Sequence, residues 1–218
     1  MMITFEDIKN NTNIITYIKK ADEILKTIGF TEHSLAHVTK CAETAAEILN
    51  VLGYCERTCE LAKIAGFMHD IGNIINRLDH AQSGAVMAFR ILDTLGMDPG
   101  EIADVISAIG NHDEHTAMPT NPISAALILA DKSDVRRSRV RNTDLINFDI
   151  HDRVNYAAKE SKLIIGKNKV LLILEIDTEI CAVMDYFEIF LNRMILCKRA
   201  AEFLEIKFEL KINNLQLL

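Results

Sequence analysis

Residues 61–74 read LAKIAGFMHDIGNI, an apolar run that closes on a histidine and an aspartate. Its apolar residues recur at the spacing of one helix face, which predicts a helix from about Arg57 to Asp70 that stops at Gly72. His69 and Asp70 are therefore expected at the inner end of a helix, beside the residues that the helix buries.

Helical periodicity continues on both sides of this segment. Two helices have strong start signals, because Asp98 precedes Pro99 and Asn121 precedes Pro122, each pair placing a capping side chain before a proline. Apolar spacing predicts six helices in all, over residues 14–28, 34–52, 57–70, 80–95, 98–112 and 121–141. The first two-thirds of the chain is thus expected to be helical, and its last helix to carry the arginines that follow Asp131.

The pattern changes near Asp144. Residues 162–165 and 169–177 predict a β-hairpin, residues 178–205 a long helix, and residues 206–212, IKFELKI, a half-buried strand. The expected fold is mainly α: a helical domain over residues 1–143 with a small C-terminal α+β (β-β-α-β) appendage over residues 144–218. The appendage could fold onto the body or form the interface of a homodimer.

Composition narrows the class of protein. The 218 residues carry a net charge of −7, which disfavours nonspecific binding to nucleic acid. The N-terminus lacks the pattern of a secretory signal, and no apolar run approaches the roughly 18 residues needed to span a membrane. We therefore expect a cytoplasmic protein with no membrane partner.

Five cysteines are scattered along the chain. Cys55 and Cys59 lie four residues apart on a predicted helix and could contribute to a metal site. No second pair lies near them in the sequence, so free thiols are the favoured interpretation.

Histidines and aspartates recur at the ends or inner faces of five consecutive predicted helices. They are His37, His69, Asp70, His80, His112 and Asp131. Each histidine alone is more often a surface or satisfied core residue than a ligand. Asp131 is more telling, because it follows the apolar run AALILA, where an ionised carboxylate needs a cation beside it.

Imidazole and carboxylate ligands suit Mn, Fe, Co, Ni or Zn, and the absence of cysteine from the set favours a catalytic site over structural zinc. With two adjacent metal ions, Asp70 could bridge them while the histidines divide between them. Such a pair is suited to activating a water and clamping a phosphoryl group.

The order His37 … His69-Asp70 … Asp131 resembles the H…HD…D signature of the HD superfamily of metal-dependent phosphohydrolases. The resemblance covers residues 30–141 and implies a helical HD fold. It also implies that these four residues surround one metal, with His69 and Asp70 as the catalytic doublet.

Further motifs match the binuclear members of that family. FMHDIGNI resembles their HDIGK strip, His80 in HAQSGAVMAFRIL resembles their H-x-x-x-G-A helix, and His112 in AIGNHDE resembles the next ligand. The resemblance implies that Asp70, His80 and His112 hold a second metal. It implies two divalent ions, with Fe or Mn first and Mg, Ni, Co or Zn as alternatives.

Departures from the family pattern bear on the substrate. Asn73 replaces the lysine of HDIGK, and the GYP motif of cyclic-di-GMP phosphodiesterases does not follow His112. The chain more closely resembles compact bacterial hydrolases that cleave dinucleoside polyphosphates symmetrically, although its C-terminal unit differs from theirs.

Four arginines crowd into residues 136–141. If they share a helix with Asp131, those nearest the site could bind substrate phosphate through guanidinium forks, and we assign this role to Arg136, Arg137 and Arg141. The equally favoured alternative is a solvated helix face.

Other polar residues near the ligand positions have weaker assignments. Asp113, Glu114 or His115 could orient His112, although an exposed polar loop is the favoured interpretation for each. His33, Lys40 and His115 could line the mouth of the site. The second doublet, His151-Asp152, lacks a comparable helical context and is interpreted as coincidental.

These features predict a phosphohydrolase that cleaves a phosphate ester or anhydride of a small nucleotide-type substrate. The alternative is a catalytically silent HD module that binds a nucleotide and signals through its C-terminal unit. The complete ligand set favours the enzyme.

Overall fold

The computed structural model describes residues 2–114, 117–141 and 150–217, and its first part is the expected bundle of helices. These helices are α1 (Phe5–Lys9), α2 (Thr12–Thr27), α3 (Leu35–Val51), α4 (Glu56–Met68), α5 (His80–Thr94), α6 (Pro99–Gly110) and α7 (Pro122–Lys132). Among the described residues, no helix is long and apolar enough to cross a membrane.

Both capping signals in the sequence are confirmed. Asp98 accepts hydrogen bonds from the backbone N–H groups of Gly100 and Glu101 at the start of α6. Asn121 and Ser124 form a reciprocal capping box at the start of α7. These caps satisfy amide groups that the first turn of a helix leaves without partners.

The prediction that α7 continues through residue 141 is wrong. The helix ends at Lys132, and a separate 3₁₀ turn covers Arg137–Arg139. Asp134 explains the break, because its buried carboxylate bonds to the side chains of His37 and Lys40 on α3. Meeting these partners directs the chain away from the helix axis.

The C-terminal part contains α8 (Ile150–Ala157), β1 (Ala158–Ile165), β2 (Lys169–Ile176), α9 (Val183–Phe203), β3 (Lys207–Ile212) and β4 (Leu215–Gln216). Its four strands form one sheet in sequence order, with β1 and β2 antiparallel, β2 and β3 parallel, and β3 and β4 antiparallel. The predicted β-β-α-β arrangement is confirmed, with α8 and β4 as additions.

The long helix begins later than the sequence predicts. The backbone N–H groups of Ile180 and Cys181 both donate to the carbonyl of Asp177, which forms a turn before α9. The apolar residues before Val183 therefore belong to this turn and not to the helix.

Both parts of the chain share their hydrophobic interior. α9 packs against α7 on one side and against the sheet on the other. Buried side chains from helices and strands, among them Leu127, Phe190 and Leu172, form one contiguous cluster. The expected boundary between residues 143 and 144 falls outside the described residues and stays a prediction.

Candidate metal centre

Two glycines allow the site's helices to approach at backbone distance. A Cβ atom at Gly66 on α4 would lie 2.7 Å from the Cα atom of Ala42 on α3. A Cβ atom at Gly72 would lie 2.0 Å from the carbonyl oxygen of His80 and 2.5 Å from the amide nitrogen of Gly84 on α5. Only glycine fits either contact, and together these contacts bring α3, α4 and α5 around one point.

The six predicted ligands converge at that point. His37, His69 and His112 are at most 1% exposed, and His80 and Asp70 are also buried. Asp131 joins them from the end of α7, with its Oδ1 atom 3.3 Å from His37 Nε2 and 3.8 Å from His69 Nε2. Residues separated by almost a hundred positions in the chain thus form one cluster.

All four histidine rings are oriented in the same way. Each places Nδ1 within hydrogen-bonding distance of an acceptor: Asp134 Oδ2 for His37 at 2.8 Å, Gly66 O for His69 at 2.8 Å, Arg77 O for His80 at 3.1 Å, and Ile109 O for His112 at 2.6 Å. An Nδ1–H donor in these contacts leaves every Nε2 atom as an acceptor that points into the cluster. Metal-ligating histidines are held in this way in proteins.

The carboxylate of Asp70 divides its two oxygens between two pairs of histidines. Oδ2 lies 3.1 Å from His69 Nε2 and 3.6 Å from His37 Nε2. Oδ1 lies 3.5 Å from His80 Nε2 and 4.0 Å from His112 Nε2. One carboxylate therefore faces two adjacent sets of nitrogen ligands.

Several acceptor atoms of the cluster face one another. The Nε2 atoms of His80 and His112 lie 3.2 Å apart although both are oriented as acceptors. His69 Nε2 and Asp70 Oδ2 are buried without any hydrogen-bond partner among the described residues. Such an arrangement is unfavourable on its own, and divalent ions placed between these atoms would satisfy them. The donor set thus fits a metal.

The protonation states of the cluster also suit a cation. Burial lowers the pKa of His80, and burial together with His69 and Lys132 lowers the pKa of His112 well below its usual value. Burial alone would raise the pKa of Asp70, but His69 and the other neighbouring histidines hold it well below its usual range. For His80, His112 and Asp70 these shifts favour the neutral imidazoles and the ionised carboxylate that bind metals. His37 differs: burial and Arg139 would lower its pKa, but Cys41 and the hydrogen-bonded carboxylates of Asp131 and Asp134 raise it well above its usual value.

Residues 32–139 match the family model of the HD domain. The chain contains a domain of the HD family. The matched segment contains all six residues of the cluster, so the family resemblance drawn from the sequence is confirmed.

Comparison with solved structures finds a chain that is similar to part of this one. It is the crystal structure of a predicted HD superfamily hydrolase from an uncultured Thermotogales bacterium, 29% identical, covering 57% of this chain and 67% of that chain, with a TM-score of 0.46. No curated protein matches the chain.

In this HD domain, Asn73 supports the Asp70 carboxylate. Its Nδ2 atom donates to both the backbone oxygen and Oδ1 of Asp70, each at 2.9 Å. Arg77 in turn donates to Asn73 Oδ1 at 3.2 Å. The residue that replaces the family's lysine therefore orients the Asp70 carboxylate, and Arg77 supplies a cation one turn further along.

A cavity of about 580 Å³ opens over the cluster. Four basic residues line it, namely Arg77, Lys132, Arg139 and Arg193. Exposed apolar side chains also line it, namely Ile28, Phe30 and Leu78. Six carboxylates also line it, namely Asp70, Asp79, Asp113, Glu114, Asp131 and Asp152. The cavity is large enough for a small organic ligand, whose anionic groups could contact the four basic residues.

The structure does not bring the three predicted phosphate-binding arginines to this cavity. Arg136 pairs with Asp134, Arg137 donates to the backbone oxygen of Tyr156 at 2.5 Å, and Arg141 pairs with Asp22. The prediction assumed that they continue α7, and the early end of that helix redirects them. Sequence patterns missed Arg77 and Arg193 because neither lies in a basic run.

The weaker assignments have mixed outcomes. His33 lines the cavity as expected, whereas Lys40 donates to Asp134 Oδ1 at 2.7 Å. Neither Asp113 nor Glu114 is the Nδ1 partner of His112, since the carbonyl of Ile109 takes that position. His115 lies outside the described residues.

Cysteine ligands and the second doublet were also open questions in the sequence. Cys41 Sγ lies 3.7 Å from both ring nitrogens of His37 and is close enough to share a metal with His37, His69 and Asp131. Burial raises the pKa of the Cys41 thiol, which disfavours the thiolate that binds metals. Cys55 and Cys59 are free thiols.

Asp152 of the second doublet lines the cavity, although the sequence offered no reason to expect it there.

Proposed function

We propose that this HD domain protein is a metal-dependent phosphohydrolase that cleaves a phosphate ester or anhydride of a nucleotide-type substrate. The observation that carries the proposal is the carboxylate of Asp70, whose two oxygens face separate pairs of imidazole nitrogens beneath an open cavity. Two-metal sites in phosphatases and nucleases are built on such bridging geometry.

The ligands divide between two ions according to which oxygen of Asp70 they face. His37, His69 and Asp131 belong with Oδ2, and His80 and His112 belong with Oδ1. Nitrogen and carboxylate ligands together favour Fe or Mn, and they also accommodate Mg, Ni, Co or Zn. We propose two divalent ions per chain.

When bound, such ions lower the pKa of a water molecule and polarise a phosphoryl oxygen, which is the chemistry that hydrolysis of a phosphate ester requires. The protein's own contribution is to hold the ligands in place. His69 and Asp70 form the catalytic doublet at its centre, and Asn73 keeps the Asp70 carboxylate in one orientation. A fixed ligand set limits the reorganisation that the reaction requires.

Cations at two ends of the cluster suit the negative charge of a phosphorylated substrate. Arg77 lies at the His80 end, with its NH1 atom 3.4 Å from His80 Nε2. Lys132 lies at the Asp131 end, with Nζ 2.7 Å from Asp131 Oδ2. A phosphate over the metal ligands would therefore meet positive charge on both sides.

The apolar part of the cavity supports an organic substrate. Phe30 and Leu78 are 41% and 74% exposed, so their apolar side chains are accessible to a ligand in the cavity. The guanidinium of Arg77 lies 5.5 Å from the centre of the Phe30 ring, so an aromatic and a cationic group stand together there. A nucleobase attached to the phosphate could stack on this surface.

A phosphate-release screen tests the proposal directly. The purified chain, loaded with Mn²⁺ or Fe²⁺, is assayed against mononucleotides, dinucleoside polyphosphates and cyclic dinucleotides, with Asp70→Asn as the inactive control. We expect turnover of at least one class, lowered by a factor of at least about 10³ in Asp70→Asn. Nucleotide binding without turnover would instead identify a silent binding module, and turnover that survives Asp70→Asn would refute the proposed site.

A further inference from the structure

One cation in the cavity comes from outside the HD domain match. Arg193 lies on α9 in the C-terminal part, 54 residues beyond the end of the matched segment at residue 139. It lines the cavity together with Asp152 and Asn155, which lie on α8. The C-terminal part therefore builds one wall of the cavity over the metal ligands.

The position of the Arg193 guanidinium is defined by two contacts. Its Cζ atom lies 4.4 Å from the centre of the Phe190 ring, one turn earlier on the same helix. Its Nε atom forms an ion pair with Glu114 Oε1, but it has no hydrogen-bond partner among the described residues. A planar guanidinium stacked on an aromatic ring is held in place while its edge can still receive an anion.

Ion pairs in series connect Arg193 to the metal ligands. Glu114, which contacts Arg193, lies 3.8 Å from Lys132 Nζ, and Lys132 contacts Asp131 at 2.7 Å. Asp131 belongs to the metal site, so Glu114 is left between two cations. The two cations and two carboxylates alternate and balance in charge, and Arg193 is the cation at the outer end of the series.

We propose that Arg193 binds a second phosphoryl group of the substrate, remote from the phosphoryl group that lies over the metal ligands. The substrate would then carry at least two phosphoryl groups in series, as in a nucleoside diphosphate or a dinucleoside polyphosphate. This inference rests on the proposed function, because it takes the metal cluster to be the place of reaction. It also gives the C-terminal part a role in substrate selection.

The test measures binding of two inorganic probes to the full-length chain loaded with Mn²⁺. Orthophosphate occupies only the position over the metals, whereas pyrophosphate also reaches the second position. By isothermal titration calorimetry, we expect Arg193→Ala to raise the dissociation constant of pyrophosphate about tenfold, which corresponds to the loss of one charge-assisted hydrogen-bonding group. The dissociation constant of orthophosphate is expected to change by less than about twofold.

Two further variants separate a phosphate contact from a structural role. Arg193→Lys keeps the charge but lacks the planar fork, so it should recover only part of the pyrophosphate affinity. Arg199→Ala removes an exposed arginine from the same helix and should leave both dissociation constants unchanged. Full recovery by lysine would reduce the role of Arg193 to nonspecific charge and would overturn the assignment.

Equal weakening of both probes by Arg193→Ala, or no weakening of either, would overturn the second phosphoryl position. The two proposals fail separately: a protein without turnover that still loses pyrophosphate affinity in Arg193→Ala refutes the hydrolase alone. An active enzyme whose pyrophosphate affinity is unchanged in Arg193→Ala refutes this inference alone.

Discussion

Replacing Gly72 by alanine should separate the second metal position from the first. The added Cβ atom would lie 2.0 Å from the carbonyl oxygen of His80 and 2.5 Å from the backbone nitrogen of Gly84. Both are backbone atoms, so neither contact can be relieved by rotating a side chain. The start of α5 must therefore move away from the turn that carries Asp70 by roughly an ångström or more.

Such a movement acts first on His80, which is the first residue of α5. Its Nε2 atom now lies 3.5 Å from Asp70 Oδ1 and 3.2 Å from His112 Nε2, distances that one divalent ion could span. Overpacking at a buried contact costs about 1–3 kcal/mol. For a chain of this length, that corresponds to a decrease in melting temperature of roughly 2–12 °C.

Calorimetry and metal analysis of Gly72→Ala test both consequences. We expect a folded protein with a lower melting temperature and about one tightly bound metal per chain, since His37, His69 and Asp131 are not carried by α5. The matched control is Gly110→Ala on α6, where the new Cβ atom would lie 3.6 Å from Ala85 Cβ, an ordinary contact. This control should keep the melting temperature and both metals. A Gly72→Ala protein with unchanged stability and full metal content would refute the reasoning.

Three further predictions follow from other contacts. Asp134→Asn removes the anion that holds His37 Nδ1 and should weaken metal binding about 10–100-fold, as measured by competition with a chelator; unchanged affinity would show that Asp134 does not position His37. Arg77→Ala should raise the Michaelis constant for a phosphorylated substrate about tenfold, whereas Arg137→Ala should leave it unchanged. The reverse result would show that the arginines of residues 136–141 bind the phosphate. Cys55 is the exposed thiol, and hydrogen bonds from Thr58 lower its pKa, so it should react first with a thiol reagent and at a lower pH than an ordinary thiol. Peptide mapping of the labelled chain checks this, and earlier labelling at a buried cysteine would contradict it.

The sequence was sufficient to predict the parts of the fold that depend on local signals. Capping residues before proline located the starts of α6 and α7, and apolar spacing located the other long helices of the body. The short helix α1 was missed although its signal is present, since Thr4 and Asp7 form a capping box. Local chemistry of this kind can be recognised in a single chain because all its partners lie within one turn.

The parts that were not predicted depend on partners distant in the sequence. Helix α7 ends at Lys132 because Asp134 bonds to residues of α3, and no glycine or proline marks that point. Arg193 reaches the cavity only because α9 packs against α7, which no local pattern encodes. The clustering of the six candidate ligands could be predicted for a different reason: a carboxylate after an apolar run signals a buried partner even before that partner is known.

The number of metal ions per chain tests the central claim most directly. The protein is loaded with Mn²⁺, desalted and analysed by mass spectrometry of the metal, alongside Asp70→Ala and His112→Ala. We predict two ions per chain in the unmodified protein, one in His112→Ala, and fewer than one in Asp70→Ala, because both positions share the Asp70 carboxylate. A single ion in the unmodified protein, or two ions retained in Asp70→Ala, would contradict this claim.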